Sequence, residues 1–162
     1  MCANTCRSLA SSIVMDVTWD GVPVARERPY AVAIVVWRAG RGGREFLLLH
    51  RLAPGGPDYE GDWAWTPPAG ARQPGEGPDV AAAREMEEET VLGLPLTPIQ
   101  EASASGDVAL YLAEAPSDAH VVLDDEHDRF LWLPLADALA KCSPAVVAMG
   151  LANADAWLGA RD

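Results

Sequence analysis

The chain is short of positive charge, of cysteine and of long apolar runs. Twelve Lys plus Arg face 24 Asp plus Glu, a formal net charge of −12 over 162 residues. A surface with that balance repels phosphate backbones, which argues against nucleic-acid binding through a basic patch. It opposes a small polyphosphate just as strongly unless cations intervene. Cys2, Cys6 and Cys142 fall in no CxxC pair and no Cys/His spacing that suits zinc. A reduced, cytoplasmic protein is therefore expected in place of a disulfide framework. The opening segment MCANTCRSLASSIVMDV has only a short, broken apolar run before Asp16. That is no signal-peptide core and is too short to cross a bilayer, so no membrane partner is expected.

What is present is ordinary globular material, 49% hydrophobic and 22% charged. Residues 1–24 are expected to be an N-terminal tail, partly ordered, with Met15 as an alternative start to Met1. Residues 25–158 are expected to be one domain, since no repeat or low-complexity linker divides them. The oligomeric state is left open, a homodimer included.

Two apolar, β-branched runs, Tyr30–Trp37 and Glu45–Arg51, read as adjacent buried strands joined through the Gly-rich turn 39–43. Residues 53–62 are Gly, Pro and acid, hence a surface loop, and 63–68 return to an extended conformation. A helix follows. Gly77 can cap it, Pro78 fits its first position, Asp79 suits the N-terminal dipole, and Val80–Leu92 contains no Gly or Pro. Gly93 is the expected stop. Residues 108–113 and 129–133 read as strands, and 134–141 and 144–158 as helices. Strands interleaved with helices predict an α/β core, a mixed sheet covered on both faces.

Glu85, Glu88 and Glu89 stand at i, i+3 and i+4 on that helix, so their carboxylates share one face. Like charges so placed cost a few tenths of a kcal/mol per pair, at about the level of a solvated acidic face. Clustered oxygen donors are also what Mg²⁺ or Mn²⁺ selects, leaving other coordination positions for water and phosphate. Such a cation would turn a repulsive patch into a polyphosphate receptor.

The surrounding spacing decides between these readings. Gly70, Glu76, Arg84, Glu85, Met86, Glu88, Glu89 and Leu92 resemble the Nudix hydrolase signature: Gly, five residues, Glu, seven residues, Arg-Glu, apolar, any, Glu-Glu, any, Gly, apolar. With residue frequencies of roughly 7% each, chance would produce such a match on the order of once in a hundred thousand chains this long. One position departs, because Val91 stands where the family has Gly. Gly93 is expected to take over the stop and shift the helix end. The resemblance implies a Nudix fold, with the mixed sheet between helices (α/β/α), and a Mg²⁺- or Mn²⁺-dependent attack on a phosphoanhydride of a nucleotide-type substrate. It implies Glu85, Glu88, Glu89 and the Gly70 carbonyl as metal ligands and one of these Glu residues as the base. Arg84 is implied to orient the carboxylates, with Glu76 as partner.

Flanking residues narrow the resemblance. Trp65-Thr66-Pro67-Pro68-Ala69-Gly70, the EFLLLH run at 45–50, and Glu126-His127 followed by Phe130, Trp132 and Ala136 are similar to the asymmetrical dinucleoside-tetraphosphate hydrolases. Ala69 and Ala71 depart from that group, where Lys and frequently His stand. Glu126 is expected to supply a further metal-binding or catalytic carboxylate. Arg51, Arg72, His127 and Phe130 are expected on the substrate side. A triphosphate pyrophosphohydrolase, or a nucleotide-binding module without catalysis, remains the alternative.

Overall fold

The computed structural model describes residues 17–18, 20–53, 55–99 and 106–162. Cys2, Cys6, Met15 and most of the expected 1–24 tail lie outside these residues. Within the described part of that segment, Val17 and Pro23 form an isolated antiparallel bridge.

The two apolar runs become β1 (Ala31–Gly40) and β2 (Gly43–Arg51), a hairpin whose turn is Gly-rich. They pair only near that turn, from Trp37 opposite Phe46 to Gly40 opposite Gly43. Beyond it the strands part, and two short strands fill the gap. β3 (Trp65–Thr66) pairs with β2, and β4 (Ala69–Ala71) pairs with β1, with Gly70 opposite Val32. The Pro67-Pro68 step between them has no N–H to give to a ladder, which suits a chain crossing from one strand to the other. Ile34 N–H donates to Pro68 O at 2.8 Å and ties the crossing to β1.

Next in the chain come α1 (Pro78–Thr90), β5 (Thr97–Ile99), β6 (Val108–Glu114), β7 (His127–Pro134), α2 (Leu135–Lys141) and α3 (Ala145–Gly159). β6 runs parallel to β1, β5 is antiparallel to β6, and β7 is antiparallel to β2 from Glu45 to Arg51. The sheet is therefore mixed. β5 carries no apolar alternation and contains Pro98, so nothing in its sequence announced a strand.

Continuous apolar strands require cover on both faces. Val32, Ile34, Val36, Leu47, Leu49 and Tyr111 pack toward Ala81, Ala82 and Met86 of α1. The alternate residues Val35, Phe46, Leu48, Leu110 and Leu112 pack toward Ala138 of α2 and Leu151 and Ala154 of α3. This is the expected α/β/α arrangement. Among the described residues no helix is long and apolar enough to cross a membrane.

Two local expectations are corrected. α1 does not run on to a stop at Gly93, for Val91 itself takes the left-handed conformation (φ 55, ψ 29) and its N–H returns to Glu87 O at 3.0 Å. Leu92 must turn back to be buried, and its N–H is captured by Thr90 Oγ1 at 3.2 Å, so the reversal is fixed at 91 whatever residue stands there. Trp63 is also left-handed (φ 67) where an extended residue was expected, with its N–H on Ser143 O at 2.5 Å.

Candidate catalytic site

The split sheet carries β4 beneath the carboxylate face of α1. Gly70 is needed there because a Cβ would overlap the Glu85 carboxylate, so the helix can lay that group directly on the strand backbone. One turn on, Glu89 Oε2 accepts from Ala69 N–H at 3.0 Å. Glu85 and Glu89 are buried at 8% and 4% exposure, whereas the Glu88 side chain is 56% exposed. The three carboxylates that share a helix face therefore sit at different depths.

Arg84 binds the cluster together. Its Nε donates to Glu76 Oε1 at 2.7 Å and its Nη2 to Glu76 Oε2 at 3.0 Å, a bidentate pair. Nη1 donates to Glu85 Oε1 at 2.7 Å and Glu88 Oε2 at 3.1 Å, and Nη2 reaches Ala71 O at 3.1 Å. The Arg84 hydrogen bonds hold the Glu76 carboxyl below its usual range. Burial pushes Glu85 up against the opposing pull of Arg84. Burial pushes Glu89 well above its ordinary value, with the charge of Glu85 adding to the effect and that of Asp124 also opposing ionisation. Arg51 acts on Glu89 in the other direction.

The loop ahead of β7 and the end of β2 form the neighbouring wall. Val122 N–H donates to Thr90 O at 3.0 Å, which docks the loop on the end of α1. Leu52 N–H donates to Glu126 O at 2.7 Å, placing Glu126 beside Arg51. Asp124 Oδ1 lies 3.2 Å from Glu126 N and 2.7 Å from His127 Nδ1. His127, expected on the substrate side, is instead buried; its side chain is 1% exposed and engaged by Asp124. Arg51 Nε is buried and has no hydrogen-bond partner among the described residues. Phe130, opposite Leu49 on the α1 side of the sheet, is 37% exposed.

Arg72 stands apart from this group. It is buried, and its Nε, Nη1 and Nη2 donate to Pro29 O (2.8 Å), Glu76 O (2.8 Å) and Glu27 O (2.5 Å). Three backbone carbonyls claim the guanidinium, so it clamps the loops around β4 and does not face the carboxylates as a phosphate contact. Sequence reading passed over Asp124 because it is one of three consecutive acids; only its fixed contacts separate it from the exposed Asp125. It passed over His50 as well, buried with Nδ1 2.6 Å from Asp128 Oδ1 and Nε2 2.7 Å from Tyr59 O, which pins the loop after β2.

The donor set suits a hard divalent cation, being entirely carboxylate and carbonyl oxygen. Glu89 points the same way, since a buried carboxylate held high by burial gains most from a cation. As placed, Arg84 lies between Glu85 and Glu88, and among the described residues no three carboxylate, thiol or imidazole groups stand close enough to share an ion.

Known proteins share this fold and much of this sequence. The NUDIX domain family matches residues 27–153. A Caenorhabditis elegans protein named bis(5'-nucleosyl)-tetraphosphatase [asymmetrical] is 34% identical over 119 residues, 67% of this chain and 81% of that protein. A Myxococcus xanthus protein named octanoyltransferase is 35% identical over 124 residues; the match covers 70% of this chain and 32% of that protein, so the chain spans about a third of it. The crystal structure of a C. elegans Ap4A hydrolase binary complex superposes with a TM-score of 0.65 at 31% identity, covering 80% of this chain and 97% of that one.

Proposed function

The chain belongs to the NUDIX domain family, and from that premise we propose that it hydrolyses a phosphoanhydride bond in a nucleotide-type substrate with Mg²⁺ or Mn²⁺, a dinucleoside polyphosphate being the preferred class. The observation that carries the reading is the carboxylate set on the split sheet, Glu85 on Gly70, Glu89 on Ala69 N–H and Glu88 in solvent, joined by Arg84. Glu85, Glu88, Glu89 and the Gly70 carbonyl would hold the cation. When bound, it neutralises non-bridging phosphate oxygens and acidifies its water. One of the carboxylates, from α1 or from Glu126, takes the proton of the attacking water, and Arg84 keeps the α1 set in place. Arg51, whose buried Nε–H has no hydrogen-bond partner among the described residues, would have to turn outward to offer it to a phosphate oxygen.

The test is a panel of diadenosine tetraphosphate, nucleoside triphosphates and ADP-ribose, with Mg²⁺ and with Mn²⁺, read by chromatography. Mono- plus triphosphate from the tetraphosphate is the expected result. Monophosphate plus pyrophosphate from triphosphates alone would move the substrate to that class. Tight nucleotide binding with no product over hours would replace catalysis with a binding role.

A further inference from the structure

The acidic run before β7 holds two residues with different fates. Asp125 is exposed, while Asp124 puts one oxygen, Oδ1, within reach of two groups, Glu126 N at 3.2 Å and His127 Nδ1 at 2.7 Å. The ladder between β2 and β7 slips at His50/Arg51 and ends at His127, so Glu126 lies just past it. Its carbonyl is taken by Leu52 N–H at 2.7 Å. Its amide has no ladder acceptor, and the Asp124 side chain replaces one.

We propose that Asp124 is a positioning residue for Glu126: Asp124 Oδ1 and the buried His127 ring fix the turn that carries Glu126. The inference rests on the reading of Glu126 as an acting carboxylate. His127 serves here as a buried post, its 1% exposure giving the turn a rigid anchor. Thr90 O, receiving Val122 N–H, sets the other end of the loop. Both bonds land on a single oxygen, so an amide oxygen can replace the carboxylate. The charge of Asp124 is not what the turn needs.

Mn²⁺ alone, titrated into the protein and followed by electron paramagnetic resonance, reads this without turnover. Outer partners of metal ligands are worth about 10- to 100-fold in affinity, so Glu126→Gln and Asp124→Leu should each weaken Mn²⁺ by about tenfold or more, and Asp124→Asn, which keeps the accepting oxygen and loses only the charge felt at Glu89, by several-fold less than Asp124→Leu. Asp124→Leu in the Glu126→Gln background should add nothing. Normal affinity in Asp124→Leu beside a weakened Glu126→Gln, or additive losses in the double variant, would overturn the role of Asp124. Normal affinity in Glu126→Gln would overturn the reading of Glu126 itself. Amide exchange in the unaltered protein supplies a measurement independent of whether any variant folds: Glu126 N–H should be protected, and fast exchange there would refute the proposal.

Discussion

The two faces of the sheet hold their helices by different means. On one, α2 and α3 bury Ala138, Leu151 and Ala154 against Phe46, Leu48 and Leu112, with Val147, Trp157 and Leu158 packed at the edge. On the other, α1 contributes only Ala81, Ala82 and Met86 as buried apolar residues. Its remaining buried side chains are Glu85, Glu89 and Thr90. A fully buried large apolar side chain is worth about 1.5–3 kcal/mol, and a buried carboxylate costs free energy unless it is paired or binds a cation. The α2/α3 face therefore stabilises the fold, and the α1 face uses part of that stability to keep acids out of water. Functional strain is concentrated on one side of a single sheet.

Substitutions on the two faces should separate activity from stability. Glu88→Gln changes a side chain that is 56% exposed. It should lower kcat by about 100- to 10,000-fold while shifting stability by no more than about 0.5 kcal/mol; steady-state kinetics beside urea denaturation measures both, and wild-type turnover would remove Glu88 from the site. Leu151→Ala does the reverse, costing about 2–5 kcal/mol of stability. Below its melting transition it should keep kcat, and a parallel loss would mean the faces are coupled.

A third measurement concerns the cost of the buried acids. Glu89 has its carboxyl raised well above 4.5, by burial first and then by Glu85. The folded chain thus keeps a proton that the unfolded chain has released, and cation-free stability should fall as pH rises from 4.5 toward the folded-state value. Glu89→Gln should flatten that slope, and saturating Mg²⁺ should do so in the unaltered protein. Denaturation midpoints across pH check the sign. The smallest effect is at the helix end, where Val91 is left-handed and 51% exposed. Val91→Gly should raise stability by about 1 kcal/mol, with turnover unchanged, because a β-branched residue is strained there and Gly is not.

The helix carrying the acids was legible from residue order because its signals are local: Pro78 at the first turn, Asp79 beside it, and a spacing of three and four that puts carboxylates on one face. The buried strands were legible from their unbroken apolar runs. Arg72 was not, since nothing near it in sequence reveals that Pro29, Glu27 and Glu76 will offer it their carbonyls. The end of α1 was misread because a Gly two residues on is a good local stop, yet the burial of Leu92 fixed the reversal earlier. Of the acids before β7, composition could not tell Asp124 from Asp125.

By itself, then, the order of residues determined the family and the acidic helix, because each of these depends on spacing along one element. The tertiary structure decided which acids are buried and which arginine is spent on backbone. It also decided that Gly70 lies under Glu85. Those outcomes arise where β1 and β2 part and β4 enters between them, bringing together groups distant in sequence, and a burial cost depends on what arrives next to a residue and not on what precedes it.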